Sequence, residues 1–358
     1  MLKKSNTNNL RPYFSICIPQ YNRTDFLIKA LVTFKKQEFK DFEVCIYDDN
    51  SNDNGMDKII NYLENSNMNY SYYKSKNNGR YDVSLRGSID LSNGKYILLM
   101  GNDDGLMNSN TLKLMHNNIE NYENISVVVT NYIVLTDGEK VMRIPETKTY
   151  GSGPLTAASF FRNYAFVSGI ILNGDKAREL STDRLDGSEM YQMYLATSIV
   201  SMGGEILGIK DISIQKDLQI QGQEIDSYKT HAKVSKCSLT PRKLPMSRIF
   251  EVILVGLESM PEGRKKEECL LLIAKQLYMY TYPYWVIEYR REQSWCYSFG
   301  IYRALNPINI INNVYQFTFY NKFKLTVSYI LSGIAGFLIP IFIFDKFRPF
   351  LYKIAKKQ

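Results

Sequence analysis

Three polar clusters in the first third of the chain each follow a short hydrophobic run, and their residue types can bind nucleotides and metal ions. They lie at residues 19–23 (PQYNR), 48–51 (DDNS) and 101–104 (GNDD). An aromatic ring can stack on a flat base, and a carboxylate can accept the imide proton of a pyrimidine. Carboxylates also suit Mg²⁺ or Mn²⁺, which usually bind one or two of them together with substrate phosphates. Each cluster alone is equally compatible with an ordinary turn.

The hydrophobic runs before these clusters alternate with amphipathic stretches. Strands are predicted at 14–18, 42–49, 69–75, 95–100 and 126–135, and helices at 25–36, 56–65 and about 83–91. Such alternation with short connections is typical of an α/β protein with a parallel sheet that is covered by helices. Ligands of these sheets bind at the carboxyl ends of the strands, where the three clusters would meet.

Beyond residue 150 the alternation is less regular. We expect residues 158–173 to pack against the sheet as strand or helix, with a helix at 188–202, a strand at 205–214 and a loop at 219–231. The first 13 residues contain no apolar segment, so we expect an N-terminal tail there and no secretory signal. These patterns predict a tail (1–13), an α/β domain (14–240) and a helical C-terminal region (241–358).

Composition limits the class of protein. The 358 residues are 45% hydrophobic and 22% charged, which excludes a disordered or fibrous chain. The formal net charge of +8 suits an anionic partner such as a nucleotide, a nucleic acid or an acidic membrane. The chain has only two histidines, which is too few for most zinc-dependent hydrolase sites.

The C-terminal region predicts a membrane contact. Residues 325–344 carry no charge and are long enough to cross a bilayer, but Gly333, Gly336 and Pro340 interrupt them and both flanks are basic. We therefore expect a hairpin or an in-plane anchor. The aromatic and basic residues of 280–303 would lie among lipid headgroups, and Lys353, Lys356 and Lys357 would bind anionic lipid. A buried core helix or an oligomer interface is the alternative.

The motifs in the first third resemble those of the family 2 glycosyltransferases. FSICIPQYNR is similar to the opening strand of that family, FEVCIYDDNSNDN to its second strand and turn, and NNGRYDVSLRGSIDLSNGKYILLMGNDD to the stretch ending in its D-x-D metal motif. The resemblance extends over residues 14–105 and, less closely, about 155–215. It implies the Rossmann-like GT-A fold, an α/β fold with a mixed, mainly parallel sheet and flanking helices. It also implies an enzyme of bacterial surface-polysaccharide synthesis, of the abequosyltransferase-like or rhamnosyltransferase-like type.

The resemblance also implies roles for individual residues. The loop at 19–23 would line the nucleoside pocket through Pro19, Tyr21, Asn22 and Arg23. Asp49 or Asp48 would contact the base, and Arg80 or Arg86 would approach the diphosphate, where a guanidinium suits charge-assisted pairing.

The metal motif departs from the family pattern. Asp103 corresponds to the last Asp of D-x-D and would bind Mn²⁺ or Mg²⁺, with Asn102 beside it. Gly101 replaces the first Asp, and Asp104 is either a second ligand or a cap for the next segment.

Inverting sugar transfer needs a carboxylate that takes the proton of the acceptor hydroxyl. By the resemblance this group lies at the start of a helix 80–90 residues after the metal motif. Glu189 is the first candidate and Asp186 the second, although an acid is common at any helix N-terminus. Ser168 and Gly169 would form the floor of the sugar pocket.

These residues together predict an inverting, metal-assisted glycosyltransferase. Its donor would be a nucleoside-diphosphate sugar and its acceptor a polyprenyl-diphosphate-linked O-antigen or capsule intermediate. It would lie on the cytoplasmic face of the inner membrane as a peripheral or monotopic protein, and it could form oligomers. The alternatives are a nucleic-acid-binding protein, which the acidic loops disfavour, and an inactive glycosyltransferase-like scaffold.

Overall fold

The computed structural model of the protein describes residues 1–5, 11–223, 248–261, 263–292, 294–304, 306–307 and 317–356. Eleven strands of this part form one mixed sheet. They are β1 (Leu2–Lys4), β2 (Phe14–Gln20), β3 (Phe42–Asp48), β4 (Asn69–Lys74), β5 (Tyr96–Leu99), β6 (Gly105–Leu106), β7 (Ile125–Val134), β8 (Lys140–Val141), β9 (Lys148–Gly151), β10 (Ile170–Asn173) and β11 (Glu205–Lys216).

Thirteen α-helices are described as well. They are α1 (Thr24–Lys35), α2 (Met56–Asn65), α3 (Arg80–Asp90), α4 (Thr111–Glu120), α5 (Pro154–Phe160), α6 (Gly174–Glu179), α7 (Tyr191–Ser201), α8 (Ile249–Gly256), α9 (Arg264–Gln276), α10 (Tyr282–Glu292), α11 (Trp295–Ala304), α12 (Phe319–Leu338) and α13 (Ile341–Lys356).

The strand order is β1-β4-β3-β2-β5-β10-β7-β11-β6, with β8 beside β7 and β9 beside β11. Strands β4, β3, β2 and β5 are mutually parallel, as the alternating pattern predicts. Strand β10 is antiparallel to both β5 and β7. The carboxyl ends of β2, β3 and β5 therefore share one edge, and the predicted mixed, mainly parallel sheet with flanking helices is confirmed.

Alternating side chains of the central strands build a core on each face of the sheet. In β2, Ile16 and Ile18 pack with α1, α2 and α4, whereas Cys17 packs on the face covered by α3, α5 and α7. All three side chains are fully buried. A continuous hydrophobic run is expected of a strand that is covered on both faces.

Two short elements differ from the prediction. Within the predicted tail, Leu2–Lys4 form β1, which pairs antiparallel with β4 at the edge of the sheet, so this part is not a tail. Helix α4 was not predicted. Its apolar residues Leu112, Met115 and Ile119 are buried, but the surrounding sequence LKLMHNNIE is polar enough to be mistaken for a loop.

The C-terminal helices pack onto the α5–α7 face of the sheet domain and extend its core. Ile253 of α8, Leu270 and Ile273 of α9 and Tyr278 are buried in the same cluster as Leu195 of α7. The predicted boundary at residue 240 falls within 224–247, outside the described residues, so the division at that point stays a prediction. Lys357 and the side chains of Lys353 and Lys356 are also outside the described part.

The charge-free run at 325–344 is divided between α12 and α13, which meet at an angle of 106°. In the described part of the chain, no single helix has the length and apolar character of a membrane span, although this bent pair together meets both criteria. Ile339 ends α12 in an extended conformation, immediately before Pro340, and a proline at this place cannot continue the helix.

Candidate active site

The loops after β2 and β3 are joined by hydrogen bonds. The Asn22 N–H donates to Ser51 Oγ (2.8 Å), and the Asn52 N–H donates to Asn22 Oδ1 (2.9 Å). Asn22 and Arg23 have left-handed backbones, with φ of 50° and 59°. Asn adopts this conformation more readily than most residues. The chain turns sharply here, with Tyr21 half-buried at the start of the turn.

The loop after β5 joins the same edge of the sheet. Arg23 Nη1 donates to Asp103 Oδ2 (2.9 Å) in an ion pair whose side chains are 17% and 16% exposed. Asn102 Nδ2 donates to Oε1 of Gln20 (2.9 Å), which follows the half-buried Pro19 at the end of β2. Hydrogen bonds therefore connect the three loops that the sequence analysis predicts to lie close together.

The two carboxylates that end β3 bind groups of the protein itself. Asp48 accepts a hydrogen bond from the Tyr72 hydroxyl, and Asp49 accepts from the N–H groups of Gly79 (2.7 Å) and Arg80 (2.8 Å). Both acids are almost fully buried. Burial raises the pKa of Asp49, and the two amides oppose that shift. Asp49 thus fixes the start of α3, and its contact with a nucleobase stays a prediction.

Three carboxylates are close together beyond β5. Asp104 accepts hydrogen bonds from the Ser168 hydroxyl and from the Asp217 N–H (3.0 Å). Burial, followed by the charge of Asp103, raises the pKa of Asp104 to about 8. Burial also raises the pKa of Asp103, which Arg23 opposes and the charge of Asp217 reinforces. Asp217, at the end of β11, is a member of this acidic cluster that the sequence analysis missed.

This acidic cluster offers the hard oxygen donors that Mg²⁺ and Mn²⁺ prefer. Among the described residues, no three His, Cys, Asp or Glu side chains are arranged to hold a metal ion by themselves. These ions need only one or two protein carboxylates when substrate phosphates complete the shell. The oxygen atoms of Asp103 and of Asp104 beside it therefore fit such a metal by their chemistry, although the ion would share Asp103 with Arg23.

Tight packing explains why residue 101 is a glycine. A Cβ at Gly101 would lie 2.9 Å from Asp104 Oδ2 and 3.1 Å from Asp103 Oδ1. The Gly101 N–H also donates to Ser168 Oγ (2.8 Å), the hydroxyl that holds Asp104. With a third acid at position 101, either these carboxylates or the loop backbone would have to move.

Ser168 and Gly169 support neighbouring elements. Ser168 is fully buried and binds the acidic loop through its hydroxyl. Gly169 has a φ of 81°, and an added Cβ would meet Thr130 Oγ1 at 2.3 Å and Ile214 at 2.8 Å. Gly169 thus allows a close approach to β7 and β11. A contact of either residue with a sugar stays a prediction.

The first turn of α3 lies between the acidic loop and α7. Tyr81 Oη donates to Gln192 Oε1 of α7 (3.1 Å). The pKa of Tyr81 is raised well above its ordinary value by burial and then by nearby acids, among them Glu189 and Asp104. The charges of both acids therefore act on the same Tyr81 hydroxyl.

Glu189 is half-buried in the turn before α7 and has a left-handed backbone with a φ of 60°. Burial raises the pKa of its carboxyl group, the charge of Asp82 raises it further, and Arg80 opposes both effects. No hydrogen bond from a described residue reaches this carboxylate. It is therefore available to a ligand.

Asp186, the alternative base, is already paired. Arg86 Nη2 donates to Asp186 Oδ2 (2.6 Å), and both side chains are largely buried. Burial raises the pKa of Asp186, and Arg86 opposes the rise. Among the described residues, Arg86 Nε and Asp186 Oδ1 are buried without a hydrogen-bond partner. Of the two arginines predicted at the diphosphate, only Arg80 has an exposed side chain.

The sequence analysis overlooked three further residues of this region. Asp217 follows a predicted strand, which is the same signal that pointed to Asp103, and could have been found in that way. Tyr81 and Asp82 lie inside a helix, and only the packing of α3 against α7 brings them to the site.

The parallel strands, with joined loops and an acidic cluster at their carboxyl ends, have the arrangement of a GT-A domain. Residues 15–171 match the family model described as Glycosyl transferase family 2. This part of the chain is a domain of that family, and the resemblance seen in its motifs is confirmed.

Curated relatives are similar over part of the chain. The GalNAc(5)-diNAcBac-PP-undecaprenol beta-1,3-glucosyltransferase of Campylobacter jejuni is 29% identical over 123 residues, covering 32% of this chain and 37% of the relative. The abequosyltransferase RfbV of Salmonella typhimurium is 36% identical over 94 residues, covering 26% and 28%. The chain thus spans about a third of the length of these relatives.

Solved structures share the fold over most of the chain. Residues 1–349 of TarS from S. aureus, in complex with UDP-GlcNAc, have a TM-score of 0.64 at 16% identity, covering 91% of this chain and 87% of that one. The mannosyltransferase PcManGT of Pyrobaculum calidifontis, with GDP-Man and Mn²⁺, has a TM-score of 0.51 at 11% identity, covering 92% and 88%. At these identities the likeness shows the GT-A fold.

Proposed function

We propose that the protein is an inverting glycosyltransferase that moves a sugar from a nucleoside-diphosphate donor to a lipid-linked glycan. The observation that carries the proposal is the joining of the three loops by hydrogen bonds, from Asn22 to Ser51 and from Arg23 to Asp103. A domain of family 2 and relatives named as glycosyltransferases support it.

The joined loops offer one group for each part of the donor. Tyr21 would stack on the base, and Arg80 would pair with the diphosphate. Asp103 would hold Mn²⁺ or Mg²⁺, with Asp104 beside it. When bound, this ion would neutralise the charge that develops on the departing diphosphate.

Glu189 is the group that best fits the general base. Its carboxylate would take the proton of the acceptor hydroxyl while that oxygen attacks the anomeric carbon. The bond from this carbon to the diphosphate oxygen breaks on the opposite side, so the nucleoside diphosphate leaves and the configuration inverts. A raised pKa strengthens a carboxylate as a base. The pairing of Asp186 with Arg86 makes Asp186 the weaker candidate.

The C-terminal helices would place the enzyme at a membrane. Helices α12 and α13 expose large apolar side chains, among them Phe319 (87%), Leu331 (58%) and Phe342 (74%). Lys324 and Lys346 are exposed on the same two helices. An apolar face with cations beside it suits the surface of an anionic bilayer. We propose peripheral attachment at the cytoplasmic face, where the acceptor would be a glycan on a polyprenyl diphosphate.

A transfer assay tests the function. The full-length protein is incubated with Mn²⁺, a panel of nucleoside-diphosphate sugars and a polyprenyl-diphosphate-linked glycan, and the anomeric configuration of the product is read by NMR. We expect transfer from one donor with inversion. Retention of configuration would refute the single-displacement mechanism. Donor binding without transfer to any acceptor would favour a scaffold, and salt-sensitive DNA binding without nucleotide-sugar binding would favour a nucleic-acid-binding protein.

A further inference from the structure

The turn that carries Glu189 is held in an unfavourable backbone conformation. Glu189 has a φ of 60°, and Gly187 two residues earlier has a φ of 84°. A left-handed backbone is natural for glycine but uncommon for glutamate, and it persists only where surrounding contacts fix it. The contacts that fix Glu189 therefore bear on the role of its carboxylate.

Those contacts come from one acid on another helix. Asp82 lies in the first turn of α3 and is fully buried. Its Oδ2 accepts hydrogen bonds from the Glu189 N–H (2.7 Å) and the Ser188 hydroxyl (3.2 Å), and its Oδ1 accepts from the Tyr191 N–H (3.1 Å). Met190, the N-cap residue of α7, has no side chain that accepts a hydrogen bond from the first turn of the helix. Asp82 of α3 therefore takes the place of the N-cap side chain.

Hydrogen bonding alone does not require an acid at this place. The two oxygens of Asp82 receive three donors, and a neutral side chain could accept some of them without the cost of burying a charge. Burial raises the pKa of Asp82, and its hydrogen-bond donors oppose that rise. Once ionised, the Asp82 carboxylate adds a negative charge next to Glu189. That charge raises the pKa of Glu189 beyond the effect of burial, whereas Arg80 lowers it.

Other charged and titratable groups near this turn lie on α3 and just before α8. From α3, Arg80 and Tyr81 lie within electrostatic reach of Glu189. Arg86 of the same helix is paired with Asp186 (2.6 Å). Arg248, before α8, lies within electrostatic reach of Asp82 and donates to the backbone oxygen of Asp186 (2.9 Å).

We propose that Asp82 is a positioning residue for Glu189: its buried carboxylate fixes the turn that presents Glu189 and sets a negative charge beside it. The inference rests on the proposed function, in which Glu189 is the base. Asp82 touches neither substrate, and it acts through the placement and the proton affinity of Glu189.

The first measurement is the pH profile of kcat/KM for the Asp82→Asn protein. Asn keeps the shape and one acceptor oxygen but loses the charge. We expect kcat to fall about tenfold or more with the donor KM unchanged, because the base is misplaced by a fraction of an ångström. The acidic limb of the profile, which reports protonation of Glu189, should move to lower pH. The Ser188→Ala control removes a hydroxyl that donates to Asp82 and accepts from the Met190 N–H (3.2 Å), but it removes no charge, so the limb should stay in place.

A second measurement needs no activity. The free energy of unfolding is measured against pH for four proteins: the wild type, Glu189→Gln, Asp82→Asn and the double variant. The Glu–Gln difference begins near the unfolded-state pKa of glutamate, about 4.3, and levels off above the pKa of Glu189 in the folded protein. The pH at which it levels off should therefore be lower, and the difference smaller, in the Asp82→Asn background. Asp82→Ser, which removes the same charge, replaces Asp82→Asn if that protein does not fold.

The two measurements separate the inference from the proposed function. If Glu189→Gln abolishes transfer but Asp82→Asn leaves the levelling-off pH unchanged, Asp82 is not a positioning residue. If the levelling-off pH moves as expected while Glu189→Gln keeps full transfer, Glu189 is not the base and the role assigned to Asp82 in catalysis is lost. Loss of kcat, together with the predicted moves of the acidic limb and of the levelling-off pH, supports the inference.

Discussion

At the scale of single residues, Glu189 differs from the other acids of the site because its carboxylate has no partner among the described residues. Asp48 and Asp49 each hold a loop or a helix, and Asp186 is paired with Arg86. A half-buried acid without such a partner reduces stability when it ionises. Residues of this kind are often kept for function.

Glu189→Gln is expected to lower the rate of transfer by about 10²–10⁴-fold, because the acceptor hydroxyl loses its base. Donor affinity should be unchanged. Since folding raises the pKa of Glu189, the folded state loses stability as the pH rises from the unfolded value of about 4.3 through the folded pKa. The Gln protein should therefore be more stable than the wild type at pH 8.

Below about pH 4 this advantage should vanish, because the glutamate is then protonated in both states. Thermal unfolding at pH 4 and pH 8 measures the difference, with Asp186→Asn as the companion variant. Full transfer by Glu189→Gln, with loss of transfer in Asp186→Asn, would assign the base to Asp186.

Gly101→Ala tests the packing of the acidic loop. The added Cβ would lie 2.9 Å from Asp104 Oδ2, so either the carboxylate or the backbone must move. We expect a loss of about 1–3 kcal/mol in the free energy of unfolding, together with weaker Mn²⁺-dependent binding of a nucleoside diphosphate. Chemical denaturation and calorimetry measure the two effects. A variant with wild-type stability and binding would show that the loop has room for a side chain.

At the scale of elements, the first turn of α3 connects the two halves of the site. Asp49 holds its N-terminus, Tyr81 contacts α7, and Asp82 holds the turn of Glu189. The pattern of the sequence predicts the strands and helices that end at this site, because hydrophobic periodicity determines them locally. It does not predict the packing of α3 against α7, because those contacts join elements that are far apart in the chain.

The bent pair α12–α13 is expected to bind anionic membranes, which can be tested by substitution. In α10, Arg290 donates to the carbonyl of Phe337 and Arg291 pairs with Asp345, so contacts with α10 hold both sides of the bend. We expect Leu331→Glu combined with Phe342→Glu to reduce sedimentation with anionic vesicles by about tenfold or more, since burying these side chains in lipid contributes about 1.5–3 kcal/mol each. Salt should weaken binding of the wild type.

The matched control is Leu155→Glu combined with Met202→Glu, two exposed apolar residues on the sheet domain (52% and 60%). It should sediment like the wild type. If the Leu331 and Phe342 substitutions instead leave vesicle binding intact and convert a dimer to a monomer, a second copy of the chain covers this face.

At the scale of the whole molecule, the sequence predicts the sheet domain and the meeting of its three loops, and the structure confirms both. Two kinds of detail escaped prediction. In polar helices such as α4, the hydrophobic pattern is too weak to distinguish a helix from a loop. The burial of Asp48 and Asp49 depends on hydrogen-bond donors in β4 and α3, which are distant in the sequence. Adjacent acids after a strand indicate a site, but only tertiary structure shows which acids remain available to a ligand.

The central claim is that one edge of the sheet binds a nucleoside-diphosphate sugar together with a divalent ion. Calorimetric titration with UDP, CDP, TDP and GDP, with and without Mn²⁺, tests it in the wild type, in Asp103→Asn and in the remote exposed control Asp175→Asn. One or two of the nucleotides should bind the wild type and the control at least about tenfold more tightly with Mn²⁺, and Asp103→Asn should lose this gain. Absence of binding by all four, or equal binding by Asp103→Asn, would contradict the claim.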